Sequence, residues 1–258
     1  MIELRTITTP RIPVRVLQGG EGADLVLLHD AGGITAEHPF LNSLAQHFRV
    51  HAPLLPGYGD SEEAPHIRDM LDITLHTSDV IEALGLRRPM LVGCSLGGMI
   101  AAEMAAIAPH EVERLVLIDP AGLWLDDHPM PDVFSMLPYE LPPMLFHDAE
   151  LGAKLLTGGI NMDDPDFLIP FLVNHARTFG MAGKFLFPIP DRGLKDRLYR
   201  ITARTRIIWG ESDKLIVPIY GEAFRAGIRN AELTIIPKAG HVPHLEQTEA
   251  TVRAIIDF

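Results

Sequence analysis

From residue 24 onward the chain alternates short apolar runs with amphipathic stretches, and that rhythm restricts the fold more than any other feature of its 258 residues. The apolar runs are Leu25–Leu28, Val50–Leu55, Met90–Val92, Leu115–Ile118, Arg206–Trp209 and Leu233–Ile236. Between them lie Leu41–Phe48, Ile73–Leu84, Gly97–Ala108, Tyr220–Ile228 and His244–Phe258, whose apolar spacing predicts helices. Strands apolar on both faces must be covered on both. The pattern therefore predicts an α/β fold: a mostly parallel central sheet with helices on each side. Ahead of it, Ile2–Ile7 and Val14–Gln18, punctuated by Thr9-Pro10 and Gly19-Gly20, predict a hairpin.

One segment breaks the rhythm. Residues 121–200 are rich in proline, with short helical pieces such as Met144–Leu156 and Asp166–Phe179 between the prolines. The expected organisation is a core built from residues 1–120 and 201–258, carrying a helical lid inserted over 121–200. Irregular packing on one flank is the plainer alternative.

Where the strand Met90–Val92 passes into the helix Gly97–Ala108, the sequence reads Gly93-Cys94-Ser95-Leu96-Gly97. So sharp a turn strains its central residue and crowds the positions two before and two after, and glycine at both relieves the crowding. Ser95 is thereby presented beyond the carboxyl end of its strand, next to backbone N–H groups at a helix N-terminus. G-x-S-x-G alone is a common pattern; the strand–turn–helix context is what makes Ser95 a candidate nucleophile. Cys94 is expected to point into the core as a small apolar filler. Neither a phosphate-binding G-x-x-x-x-G-K-[ST] nor a dinucleotide G-x-G-x-x-G is present.

A serine hydroxyl needs a base, and the base needs an orienting carboxylate. Of the twelve histidines, His47, His51, His76 and His110 are expected on surface helices or their ends. His241 follows the strand Leu233–Ile236 at the same sheet edge as Ser95, where ligands bind in open α/β sheets. His244 is expected to cap or pack the last helix. For the carboxylate, Asp213 after the strand Arg206–Trp209 is preferred to Asp119 after Leu115–Ile118, with Glu211 third, because it gives the chain order Ser, Asp, His. Asp119 is then expected to shape the entrance of the lid or simply to end its strand. Oxyanion donors are expected at the N–H of Leu96 and, from the loop His29-Asp30-Ala31-Gly32-Gly33, at the N–H of Ala31.

Composition excludes other classes. A net charge of −12 disfavours nucleic acid. Arg197, Arg200, Arg204 and Arg206, the densest basic group, read as a solvated helix face rather than a phosphate site. A single cysteine, Cys94, allows no intrachain disulfide and no thiolate zinc site. No apolar run approaches the roughly 20 residues of a membrane span, and the first residues do not resemble a signal peptide, so a cytoplasmic protein is expected.

Five stretches in this order resemble the α/β-hydrolase superfamily: His29–Gly33, Pro56-Gly57-Tyr58-Gly59-Asp60-Ser61, Gly93–Gly98, Ile207–Asp213 and Ala239-Gly240-His241. The resemblance runs nearly end to end and implies a serine hydrolase with the triad Ser95, Asp213 and His241, needing no metal and no organic cofactor. In such relatives the segment between the halves usually shapes the substrate pocket. Trp124, Phe134, Met136, Met144, Phe146 and Phe179 are expected to line it, favouring an uncharged small-molecule ester of small to medium size. Two departures bear on this. Asp30 stands where the family commonly has glycine. Val242 stands where relatives that cleave carbon–carbon bonds usually have an aromatic residue, which counts against that alternative. Serine at position 95 counts against epoxide hydrolases and dehalogenases, which carry aspartate there. A hydrolase-fold ligand receptor with little turnover is a further alternative.

Overall fold

The computed structural model describes residues 1–158 and 164–258. Eight strands form one sheet: β1 (Glu3–Thr8), β2 (Pro13–Gly19), β3 (Asp24–Leu28), β4 (Arg49–Pro53), β5 (Met90–Cys94), β6 (Arg114–Ile118), β7 (Arg204–Gly210) and β8 (Ala231–Ile236). Their spatial order is β1-β2-β4-β3-β5-β6-β7-β8. β2 runs antiparallel to both β1 and β4, and every pairing from β4 to β8 is parallel. The expected hairpin and mostly parallel sheet are both present.

The helices divide between the two faces. On one, α1 (Pro39–Leu44) and α9 (Thr248–Ile256) cover a core containing Leu25, Leu27, Val92, Val116, Ile208 and Val252. On the other, α2 (Met70–Ala83), α3 (Leu96–Ile107) and α7 (Ile219–Gly227) cover Val26, Leu28, Leu91, Leu117 and Ile207. Alternation along each strand sends neighbouring residues to opposite cores, and both cores are apolar. α2 begins at Asp69, whose side chain accepts the Asp72 N–H at 3.0 Å.

Between β6 and β7 the chain forms α4 (Leu141–Leu145), α5 (Ala149–Thr157), α6 (Pro165–Leu186) and three 3-10 turns, the last at Leu194–Arg200. Residues 159–163 of the expected lid lie outside the described residues. The helical piece expected at Met144–Leu156 is two helices, because Phe146 is extended and Asp148 caps a new start by accepting the Glu150 and Leu151 N–H groups. α6 runs seven residues past the expected Phe179, since its last turns bury Met181, Ala182 and Phe185 in the α3-side core. The last helix is likewise two, α8 (Pro243–Glu246) and α9, separated by Gln247 in a non-helical conformation.

Two histidine placements differ from expectation. His51 lies in β4, buried, with Asp24 and Gln18 on its two ring nitrogens, and His76 is buried on the inner face of α2. Each arginine of the basic group near residue 200 has a partner in the fold. Arg197 pairs with Glu103, Arg200 donates to Ala106 O, and Arg204 and Arg206 lie over the Phe258 ring and reach Glu232. Among the described residues no helix is long and apolar enough to cross a membrane.

Candidate active site

The turn after β5 is built by exclusion. A Cβ on Gly93 would overlap the Gly97 carbonyl, and one on Gly97 would overlap the carbonyls of Leu28 and His29. Only glycine lets α3 start so close to β3. Ser95 consequently sits at φ 47°, in a region side chains rarely occupy. The strain is held by backbone bonds on both sides: Ser95 N–H donates to Ile118 O and Ala121 N–H to Ser95 O. Cys94 points into the core, and burial pushes its thiol up.

The end of β7 meets the loop after β8 backbone to backbone, since a Cβ on Gly210 would overlap the Gly240 carbonyl. That contact brings the loops after the two strands together. His241 Nδ1 lies 2.8 Å from Asp213 Oδ2, and His241 Nε2 lies 2.9 Å from Ser95 Oγ. The carboxylate fixes Nδ1 as the protonated nitrogen, so Nε2 accepts from the serine hydroxyl. Asp213 Oδ1 accepts two backbone N–H groups, from Leu215 and Ile216, each at 2.9 Å. All three side chains are buried; Ser95 retains 8% exposure. Burial opposes charging of His241, but the charge and hydrogen bond of Asp213, helped by Asp30, outweigh it and hold the ring above its ordinary value.

The loop after β3 begins against the elbow, with the Leu28 and His29 carbonyls packed on Gly97. Asp30 Oδ1 accepts the Gly32 N–H at 2.7 Å and Asp30 O accepts the Gly33 N–H, so neither bond uses the Ala31 N–H. Leu96 is the first residue of α3, where the N–H has no intrahelical partner. The Asp30 carboxylate is folded back by Gly32 and by His244 Nε2, 3.2 Å from Oδ2. Burial opposes its charge, yet these partners hold its carboxyl down to about 2. His244, rather than capping a helix, lies between the His38 and Phe40 rings and braces this loop. His29 does the same from below: its Nδ1–H donates to Asp30 O and its Nε2 accepts the Leu55 N–H.

The segment between β6 and β7 is tied to these loops. Leu145 O accepts the His241 N–H at 2.7 Å, and the Glu246 carboxylate accepts the N–H groups of Gly240, His147 and Asp148. On the far side Tyr58 Oη donates to Thr178 O, and Arg177 donates to the carbonyls of Gly59 and Ser61. Sequence reasoning missed Glu246. Its one signal is a carboxylate five residues after His241, and such a residue is ordinarily a solvated helix position.

The six expected pocket residues fall in different places. Phe134 packs edge-on against Phe179, their centroids 5.8 Å apart, and Phe179 in turn lies against His175. Trp124 is half-buried and donates to Asp126 Oδ1. Met136 and Met144 are half-buried, while Phe146 is 1% exposed and wedged between Gly152 and Gly240. Asp119 does not shape an entrance: it is fully buried against the Asp213–His241 pair. Asp119, Asp213 and His241 are the one set among the described residues whose metal-ligating atoms lie within 4.8 Å of one another. The direct His241–Asp213 hydrogen bond occupies the ring nitrogen and oxygen that a cation between them would need.

Residues 25–254 match the model of the alpha/beta hydrolase family. The chain belongs to that family. It is 25% identical over 269 residues to a 2-hydroxy-6-oxo-6-phenylhexa-2,4-dienoate hydrolase of Burkholderia cepacia, spanning 95% of this chain and 90% of that one. It is 28% identical over 272 residues to a pimeloyl-acyl-carrier-protein methyl ester esterase of Nitrosospira multiformis, spanning 93% and 95% respectively. The structure of a meta-cleavage product hydrolase from Pseudomonas fluorescens IP01 superimposes with a TM-score of 0.81 at 20% identity, over 98% of this chain and 96% of that one. The relatives of this family member thus include both ester and carbon–carbon bond hydrolases.

Proposed function

We propose that the protein is a serine hydrolase of uncharged carboxylic esters of small to medium size, working through an acyl-enzyme. The observation that carries the reading is the unbroken hydrogen-bond line from Ser95 Oγ through His241 to Asp213, at 2.9 and 2.8 Å. Ser95 attacks the ester carbonyl while Nε2 of His241 takes the hydroxyl proton. Asp213 stays ionised and stabilises the imidazolium. The N–H groups of Leu96 and Ala31 hold the oxyanion. His241 then hands its proton to the leaving alcohol, and water releases the acyl group by the same steps.

Residues 121–200 act as the lid over this site. Two observations favour an uncharged substrate. Among the described residues the fully buried polar set contains no arginine or lysine. Around Ser95 and His241 it contains the Asp213 carboxylate, with Asp30 close by. A dienoate of the kind named for the Burkholderia relative would bring its carboxylate to a site already negative and without a buried cation to receive it. That weighs against the carbon–carbon alternative, as the methyl ester esterase relative weighs for esters.

The test is release of p-nitrophenol from an acyl-ester series, acetate through octanoate, by wild type and by Ser95→Ala. Sustained wild-type turnover that is lost in the variant is expected, and the preferred chain length sizes the pocket. Equal slow rates would remove the esterase reading. Retention of ligand after a single acylation would point to the receptor alternative.

A further inference from the structure

Asp119 is the buried titratable group that the proposed chemistry leaves unused. It follows β6 at φ 41°, another strained non-glycine residue, one strand over from Ser95. Its backbone N–H donates to Ile208 O and its Oδ1 accepts the Gly210 N–H at 3.0 Å. The other oxygen, Oδ2, is buried and accepts no hydrogen bond.

Its neighbours say what Oδ2 is for. Asp119 and Asp213 share one buried site with His241, where the charge of one carboxylate disfavours the charge of the other. The donors decide between them. Asp213 receives two backbone N–H groups and the His241 ring N–H, whereas Asp119 receives the Gly210 N–H alone. The donor count favours the charge on Asp213 and the proton on Asp119. Other groups on this site do not compete for that proton. The Cys94 thiol is buried, Asp30 is held by Gly32 and His244, and from α3 it is Gly98 that packs on Pro120. Burial pushes Asp119 up, as does the charge of Asp213, with the Gly210 N–H opposing.

We propose that Asp119 is a positioning residue held as the neutral acid, its Oδ2–H donated to the Asp213 carboxylate, so that the two form a shared-proton pair that sets the basicity of His241. This rests on the triad reading above. A donor on Asp213 draws negative charge away from His241 and so keeps the ring a free base at lower pH. An ionised Asp119 would do the opposite, adding a second negative charge beside the imidazolium.

The pH dependence of kcat/KM for a p-nitrophenyl ester separates these cases in wild type, Asp119→Asn and Asp119→Ala. The amide keeps a donor toward Asp213 and a carbonyl for Gly210, so Asp119→Asn is expected to keep the acidic limb within about 0.3 pH unit of wild type. Asp119→Ala removes the donor and is expected to move that limb up by about one unit, with kcat about tenfold lower. A downward shift of about one unit in Asp119→Asn would mean that a charge had been lost, and would overturn the proposal. So would an Asp119→Ala profile identical to wild type. Infrared difference spectra, wild type minus Asp119→Asn at neutral pH, are expected to show the C=O stretch of a protonated carboxyl. Its absence overturns the proposal even if Asp119→Ala fails to fold. Failure of the esterase reading appears separately, as turnover indifferent to Ser95→Ala.

Discussion

Glu246 gives the sharpest test of how the loop carrying His241 is held. Its carboxylate accepts N–H groups from Gly240 at 2.6 Å and from His147 and Asp148 at 3.0 Å each, joining the histidine loop to the α4–α5 junction. A hydrogen bond to an ionised acceptor contributes about 1.5–3 kcal/mol when dry. Glu246 is half-buried, and water replaces part of each bond in a truncated variant. At about 1 kcal/mol per bond, Glu246→Ala is expected to lose about 3 kcal/mol, or roughly 6–12 °C in Tm. Glu246→Gln keeps one oxygen for the pair of N–H groups on Oε2 but turns an amide donor toward Asp148, and is expected to lose about half as much. Gly240 immediately precedes His241, so kcat is also expected to fall roughly 10–100-fold while KM changes little. Urea denaturation followed by tryptophan fluorescence gives the first quantity and p-nitrophenyl ester hydrolysis the second. An Ala variant within about 0.5 kcal/mol of wild type, the scatter of an inert surface change, and with unchanged kcat would refute the anchoring argument.

Three further outcomes are expected. His241 must be neutral to act as base and its folded value lies above 6.5, so the acidic limb of kcat/KM is expected to have its midpoint above pH 6.5. By the same linkage wild type is expected to be more stable than His241→Asn below pH 6.5, the advantage fading as pH rises through the folded value, which melting curves across pH 5–8 would read. Arg197 neutralises Glu103, which is 2% exposed on α3. Arg197→Ala is expected to cost about 3 kcal/mol in urea unfolding because it strands a buried carboxylate, with partial recovery in Arg197→Lys.

Much of the site was legible because each piece is a local event at a strand end. Gly93 and Gly97 announce a turn that only glycine permits, and the loops after β7 and β8 carry Asp213 and His241 to one sheet edge by the rule that parallel strands end together. His51 and His76 were misplaced for a physical reason. His51 fits a strand because Asp24 and Gln18 satisfy its two ring nitrogens, and His76 fits a buried helix face because burial holds its ring neutral; no sequence period marks either circumstance. The breaks at Phe146 and Gln247 escaped likewise, because both lie inside apolar patterns that a continuous helix would also produce.

Sequence by itself determined the sheet's order of apolar runs, the elbow at Ser95 and the family. These depend on residue type and spacing along a few contiguous positions. Tertiary structure alone decided that the second carboxylate is buried beside Asp213 and His241, how Asp30 turns back to Gly32 and His244, and how Glu246 and Leu145 bind the histidine loop. Each of those depends on groups far apart in the chain meeting in a dry interior. There the number of donors around an oxygen, which only packing sets, fixes where charge and protons reside.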